Sequence, residues 1–175
     1  MFGDRTAVYS EPEDTYRYKL TIDLGSGKGS MLFIGLNPST ATEIDNDPTI
    51  ERVERRARDM GYRALIVCNI FAYRATDPKD MLGVGNPAGG STNLEIILDA
   101  AKNASLILCG WGCHGAHLEQ GKYVEEHLRK NDLLLHSLGL NKDQSPKHPL
   151  YIGYQVKPGA WSDNEGRERG YYVEI

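Results

Sequence analysis

Residues 31–40 read MLFIGLNPST. Four apolar residues, 31–34, run straight into Gly35, and a turn of Asn37, Pro38 and two hydroxyl residues follows. A continuous apolar run, rather than an alternating one, fits a strand buried on both faces. Such strands belong to parallel sheets, whose crossover helices cover both sides. In open sheets of that kind, ligands sit outside the carboxyl ends of the strands. The turn at 37–39 therefore falls where a site is expected, and a pocket for a planar base fits its polar, backbone-constrained make-up.

The same pattern recurs along the chain. RALIVCNIFAYRAT (63–76) begins as a second buried strand and ends polar, SLILCGWG (105–112) reads as a third, and LLLHSLGL (133–140) as a fourth. YRYKLTIDL (16–24) alternates and reads as a half-buried strand. Between them DPTIERVERRARDMGY (47–62), NLEIILDAAKNA (93–104) and HLEQGKYVEEHLRKN (117–131) read as helices. The first is the best marked. Asp47 is a natural N-cap, Pro48 suits the first helical position, and Gly61 lies near the end. Ile50, Val53, Ala57 and Met60 supply its apolar stripe. DPKDML (77–82) reads as a helical turn, 83–92 as a Gly-rich loop, 145–161 as a proline-punctuated loop, and GYYVEI (170–175) as a closing strand. Residues 1–15 are polar and acidic and are expected to form a loosely held arm. GSGKGS (25–30) is a turn and not a phosphate loop, since it lacks the GxxxxGK[ST] spacing. Strands alternating with helices predict one α/β domain over 1–175, a three-layer sandwich around a mostly parallel central sheet.

Bulk composition bounds the function. With 175 residues, 40% hydrophobic and 25% charged, the chain can bury a full core. It has no apolar run of membrane-spanning length and no apolar segment in its first twenty residues, so a cytoplasmic protein is expected. Three cysteines, an odd number, do not make a disulfide framework. The net charge of −4 argues against a protein that coats duplex DNA, although a local basic rim acts within a Debye length of about 8–10 Å.

Candidate site residues come from the three polar strand ends. Asn37 offers one acceptor and two donors, so it can orient a water, read a base edge, or only close its own turn. Gly35, Pro38 and Ser39 shape the same turn. Asn69, Tyr73 and Arg74 follow the second strand. Arg74 can fork onto a phosphate or pair with a surface acid, and an aromatic there can stack on a base or fill the core. Trp111, between Gly110 and Gly112, is either a pocket wall or a core tryptophan. Cys109, Cys113, His114 and His117 match none of the common zinc spacings, so no metal and no other cofactor is expected. Glu43, Asp45 and Asp47 lie close together; a cation or water site is one reading, and helix capping is the better one for Asp47. His148 sits in the Pro-flanked SPKHPLY (145–151), where a neutral imidazole can donate to developing negative charge.

RYKL, GLNPSTATEIDNDPTIERV, NIFAYRATDP, WGCHG, LHSLGL and HPLYI, in this order over residues 17–152, resemble the DUF1643 family of bacterial and phage proteins, whose activity is unassigned. More distantly, GLNPS, NIFAYRATDP and HPLY are similar, in order, to motifs of the mismatch-specific uracil-DNA glycosylases. That resemblance implies their fold, a nucleic acid or nucleotide partner, and hydrolysis of an N-glycosidic bond after the base is drawn into a pocket. It implies that Asn37 positions the attacking water and that His148 stabilises the departing base. Gly35, Pro38, Ser39, Asn69, Tyr73, Arg74 and Trp111 would surround the substrate. Leu150 stands where the late motif usually has serine, and no carboxylate stands in the place of Asn37. A non-catalytic module that binds a base, nucleotide or nucleic acid is the alternative.

Overall fold

In the computed structural model, which describes residues 4–40 and 47–162, the 31–34 run lies in the central strand of a seven-stranded sheet. This strand is β3 (Lys28–Gly35). Met31 and Phe33 project to one face and Leu32 and Ile34 to the other, and all four are buried. Each such side chain removed from water contributes about 1.5–3 kcal/mol, which is why no polar residue interrupts the run. The remaining strands are β1 (Arg5–Tyr9), β2 (Arg17–Asp23), β4 (Tyr62–Asn69), β5 (Leu106–Cys109), β6 (Leu135–Ser137) and β7 (Gly159–Ala160). Their order is β1-β2-β4-β3-β5-β6-β7. The four central strands β4, β3, β5 and β6 are parallel, whereas β1, β2 and β7 add antiparallel flanks.

Helices cover both faces. α1 (Pro48–Asp59) returns the chain from β3 to β4, and its Ile50, Val53 and Ala57 pack with Phe33, Leu65, Val67 and Leu108. α2 (Gly90–Lys102) and α3 (Gln120–Lys130) lie on the opposite face, where Ile97, Ala101, Val124 and Leu128 pack with Leu32, Ile34, Cys68 and Cys109. The expected layers and the expected caps are present. Asp47 accepts hydrogen bonds from the Thr49 and Ile50 amides at 2.8 and 3.2 Å, with Pro48 in the first turn. The Gly-rich 83–92 segment is cut short because α2 begins at Gly90. The 117–131 helix begins at Gln120, after a 3-10 segment over Cys113–Glu119.

The arm expected over residues 1–15 is corrected by β1, which pairs antiparallel with β2 from Arg5 to Tyr9. Its anchor is electrostatic. Arg5 reaches Glu54 of α1 at 2.7 Å, and Glu54 also takes Arg58 at 2.8 Å. Such a strand is short and half polar, so its sequence pattern is weak. The closing strand expected at 170–175 lies outside the described residues.

The parallel centre decides where a site can form. The chain leaves β3 for β4 on one side, then crosses to β5 on the other side of β3. Neighbouring connections therefore depart in opposite directions at the carboxyl ends of β3 and β5, the position where open α/β sheets bind their ligands. Gly35 and Gly110 lie at this point. A Cβ on Gly35 would come 2.9 Å from Asn69 Nδ2 and 3.0 Å from Phe33 Cε1. A Cβ on Gly110 would come 2.8 Å from Phe33 Cε2 and 3.2 Å from Pro149 Cδ. Gly35→Ala is expected to destabilise the fold by about 1–3 kcal/mol, the cost of overpacking. Urea unfolding checks this, and an unchanged midpoint would mean that Phe33 and Asn69 yield without strain.

Candidate functional site

The turns after β3 and β4 run side by side beyond the sheet. The Ile70 amide donates to Gly35 O at 3.0 Å, Phe71 to Leu36 O at 2.9 Å, and Ala75 to Pro38 O at 2.9 Å. Asn37 joins this ladder with its side chain. Its Nδ2 donates to Ala75 O at 2.7 Å and to Pro38 O at 3.2 Å. Both amide protons are thereby spent on backbone, which rules out Asn37 as a donor to a base in this arrangement. Its Oδ1 takes no hydrogen bond from the described residues, so one acceptor of fixed direction remains. Pro38 is buried, and Ser39 Oγ is buried with no hydrogen-bond partner among the described residues. Thr40 and Thr76 hydroxyls meet at 2.7 Å across the outer end of the two turns.

Asn69 ends β4 with its side-chain amide against Gly35, a close approach that only a glycine there permits. Its carbonyl oxygen is held by Asn93 Nδ2 at 2.9 Å, and the next carbonyl, Ile70 O, by Gln120 Nε2 at 3.1 Å. Asn93 is 1% exposed, and its Oδ1 has no hydrogen-bond partner among the described residues. Asn93 and Gln120 were not singled out from the sequence. Each is an amide in the first turn of a helix, where a polar residue carries no distinctive signal.

The third wall is the segment before and around His148. Gly110 N donates to Ile34 O at 2.9 Å, and Gly112 N donates to Pro146 O at 2.9 Å, so β5 and the 146–149 segment close on the β3 exit. His148 Cβ lies 3.6 Å from where a Cβ of Gly112 would stand. His148 Nδ1 accepts a long 3.4 Å bond from Leu150 N, which leaves its proton on Nε2. Burial pushes its pKa below the ordinary value of 6.5, and the Asp47 carboxylate acts in the opposite direction. At neutral pH His148 is a neutral imidazole near the start of α1. No hydrogen bond joins Asn37 to His148 among the described residues.

The other candidates have structural duties. Arg74 donates to Thr40 O at 2.8 Å and to Asp14 O at 3.0 Å, and its guanidinium lies over Tyr9. It ties the strand-end turns to the chain before β2. Tyr73 packs edge-on against Tyr16 at 6.1 Å, on that same side. Trp111 is buried and meets Trp161 edge-on at 5.6 Å. It lines a cavity of about 840 Å³ beside α3, together with Lys122, Glu125, Arg129 and Ser145, and none of Asn37, Asn69 or His148 borders that cavity. Cys109 is buried with its thiol pushed up by desolvation, Cys113 is exposed, and no group of three His, Cys, Asp or Glu able to hold a metal occurs among the described residues. Glu43 and Asp45 lie outside the described residues.

Comparison with known proteins places these motifs. The family model of proteins of unknown function DUF1643 matches residues 17–150, well over half of the chain. The chain belongs to the DUF1643 family. No curated protein and no solved structure matches it. Every DUF1643 motif read above from RYKL to LHSLGL falls inside the matched span, as do Asn37 and His148. No helix among the described residues is long and apolar enough to cross a membrane.

Two titrations follow from this geometry. Burial lowers the pKa of both His148 and His136 below 6.5, in His136 against an opposing bond to Ile107 O. The unfolded chain therefore binds more protons below about pH 6.5 than the folded one. Their stabilising effect is complete above that pH and is lost as pH falls through the folded values. The melting temperature is expected to drop between about pH 7.5 and about pH 5, and His148→Gln should flatten that drop. Asp47→Asn keeps an oxygen for the cap and removes the charge. It should lower the His148 pKa further in an NMR titration, and no shift would show that the carboxylate does not reach the ring.

Proposed function

We propose that this DUF1643 protein binds a nucleobase at the carboxyl ends of β3 and β5 and hydrolyses its N-glycosidic bond. The observation that carries the reading is the state of Asn37. With both amide protons tied to Ala75 O and Pro38 O, its oxygen is the free atom and its direction is fixed. An acceptor held this way orients a water by accepting a hydrogen bond from it. The water oxygen bonds to the sugar carbon, the carbon–nitrogen bond breaks, and its electron pair leaves with the base. A neutral His148 donates from Nε2 to that departing charge, and its lowered pKa supports this state at pH 7. The water's proton passes to solvent. Asn69, with its amide beside Gly35, is the group on the β4 side suited to a base edge. The ordered resemblance of GLNPS, NIFAYRATDP and HPLY to motifs of the mismatch-specific uracil-DNA glycosylases, which implies their fold, supports the same assignment.

One observation favours a second reading, in which the site only binds. Asn37 braces two turns, and no hydrogen bond brings a carboxylate to it among the described residues. A water held by an amide alone is a slow nucleophile.

Base release from single-stranded, duplex and free-nucleoside substrates carrying normal and modified bases tests both readings. Hydrolysis is expected on at least one substrate, with a loss of about a hundredfold in folded His148→Gln. Folded protein that releases no base from any of them defeats the hydrolytic reading. A ligand that then raises the melting temperature establishes the binding one.

A further inference from the structure

From 145 to 162 the chain has no acidic residue, yet the whole protein carries a charge of −4. This segment packs against the arginines of α1. The guanidiniums of Arg52, Arg55 and Arg56 all lie over one ring, that of Tyr154, at 5.2, 4.4 and 5.2 Å from its centroid. Like charges three and four residues apart on a helix repel. Arg56 is buried at 3% exposure and is neutralised by backbone dipoles, donating to Ile152 O and Val156 O at 2.8 Å and Gly153 O at 2.9 Å. Arg52 shares Ile152 O at 3.2 Å. Arg55 points outward, 65% exposed, with Asp59 only at 4.0 Å. Lys157 is exposed on the same segment. One residue before Ile152 stands Tyr151, 88% exposed, the most exposed of the large apolar side chains among the described residues. It projects from the 3-10 turn Pro149–Tyr151, whose first residue follows His148.

A rigid cationic face with a bare aromatic ring at its edge has the two elements that single strands require. Phosphates need fixed positive groups, and unstacked bases need a flat surface. Duplex would present its bases to neither. An acidic peptide would use the charges and leave Tyr151 idle.

We propose that Arg52, Arg55 and Tyr154, with Tyr151 beside them, form the docking surface for single-stranded nucleic acid. Arg55 holds a phosphate, and Tyr151 stacks on a base next to the one that enters at His148. This inference rests on the base-binding reading above and names its polymer. The measurement is fluorescence anisotropy of a labelled mixed-sequence single strand, as DNA and as RNA. A duplex, polyglutamate and vesicles with phosphatidylserine serve as comparison probes. Single strands are expected to bind tightest, with affinity falling as salt rises. Tyr151→Ala should weaken binding about tenfold. Arg55→Glu should weaken it and flatten the salt dependence by roughly one phosphate, about 0.7 in the logarithmic slope. Both side chains are exposed, and circular dichroism confirms folding. Unchanged single-strand affinity in the two folded variants overturns the proposal, as does tighter binding to duplex, polyglutamate or vesicles. His148→Gln separates the two readings. Single-strand binding that needs Tyr151 and Arg55, without base release, upholds this surface and removes the chemistry. Base release indifferent to both residues does the reverse.

Discussion

The hydrogen bonds that carry the β3–β4 pairing past the ends of those strands hold the candidate site together. A parallel ladder normally stops where the chains diverge into their crossovers. Here Gly35, Leu36 and Pro38 go on accepting from the β4 side, and Asn37 adds a side-chain rung to Ala75 O. The two turns thus behave as one rigid lip. Rigidity at that point depends on β3 being central and buried on both faces, since a strand free to slide would carry the lip with it.

Helix α1 completes the arrangement from the other side. Its first residues are fixed by Asp47, whose carboxylate caps the helix and also faces His148. Two turns later Arg56 grips three carbonyls of the segment that follows His148. One helix therefore sets both the electrostatic surroundings of the histidine and the position of the turn that carries it. The buried Arg56 is tolerable because its charge meets oriented dipoles at short range in place of water.

The parts of this architecture that depend on neighbouring residues were legible in the sequence. The uninterrupted apolar run of β3 announced a strand covered twice, and Asp47 with Pro48 announced the start of α1, because capping chemistry is local. The long-range parts were not. Nothing near Asn37 signals that its amide will meet Ala75, and nothing near Arg56 signals its three carbonyls. β1 escaped because five half-polar residues at a sheet edge look like a loop until β2 and Glu54 are in place. Trp111 had two readings, pocket wall and core, and both features are present, since it is buried against Trp161 and also lines the cavity beside α3. Nothing near Tyr73 and Arg74 signals that one packs on Tyr16 and the other holds Thr40 O at the outer end of the two turns.

The grip of Arg56 on Val156 spans 100 residues of chain. During synthesis on the ribosome, α1 emerges long before its carbonyl partners exist. The helix and its neighbouring strands can collapse early through Phe33, Leu65 and Val67, with Arg56 still hydrated at their edge. Only when the stretch around Val156 clears the exit tunnel can the guanidinium exchange water for backbone and draw the histidine turn down onto the sheet. A chain interrupted before that point would have the central strands and lack the third wall, so the site closes only after residue 156 has been made.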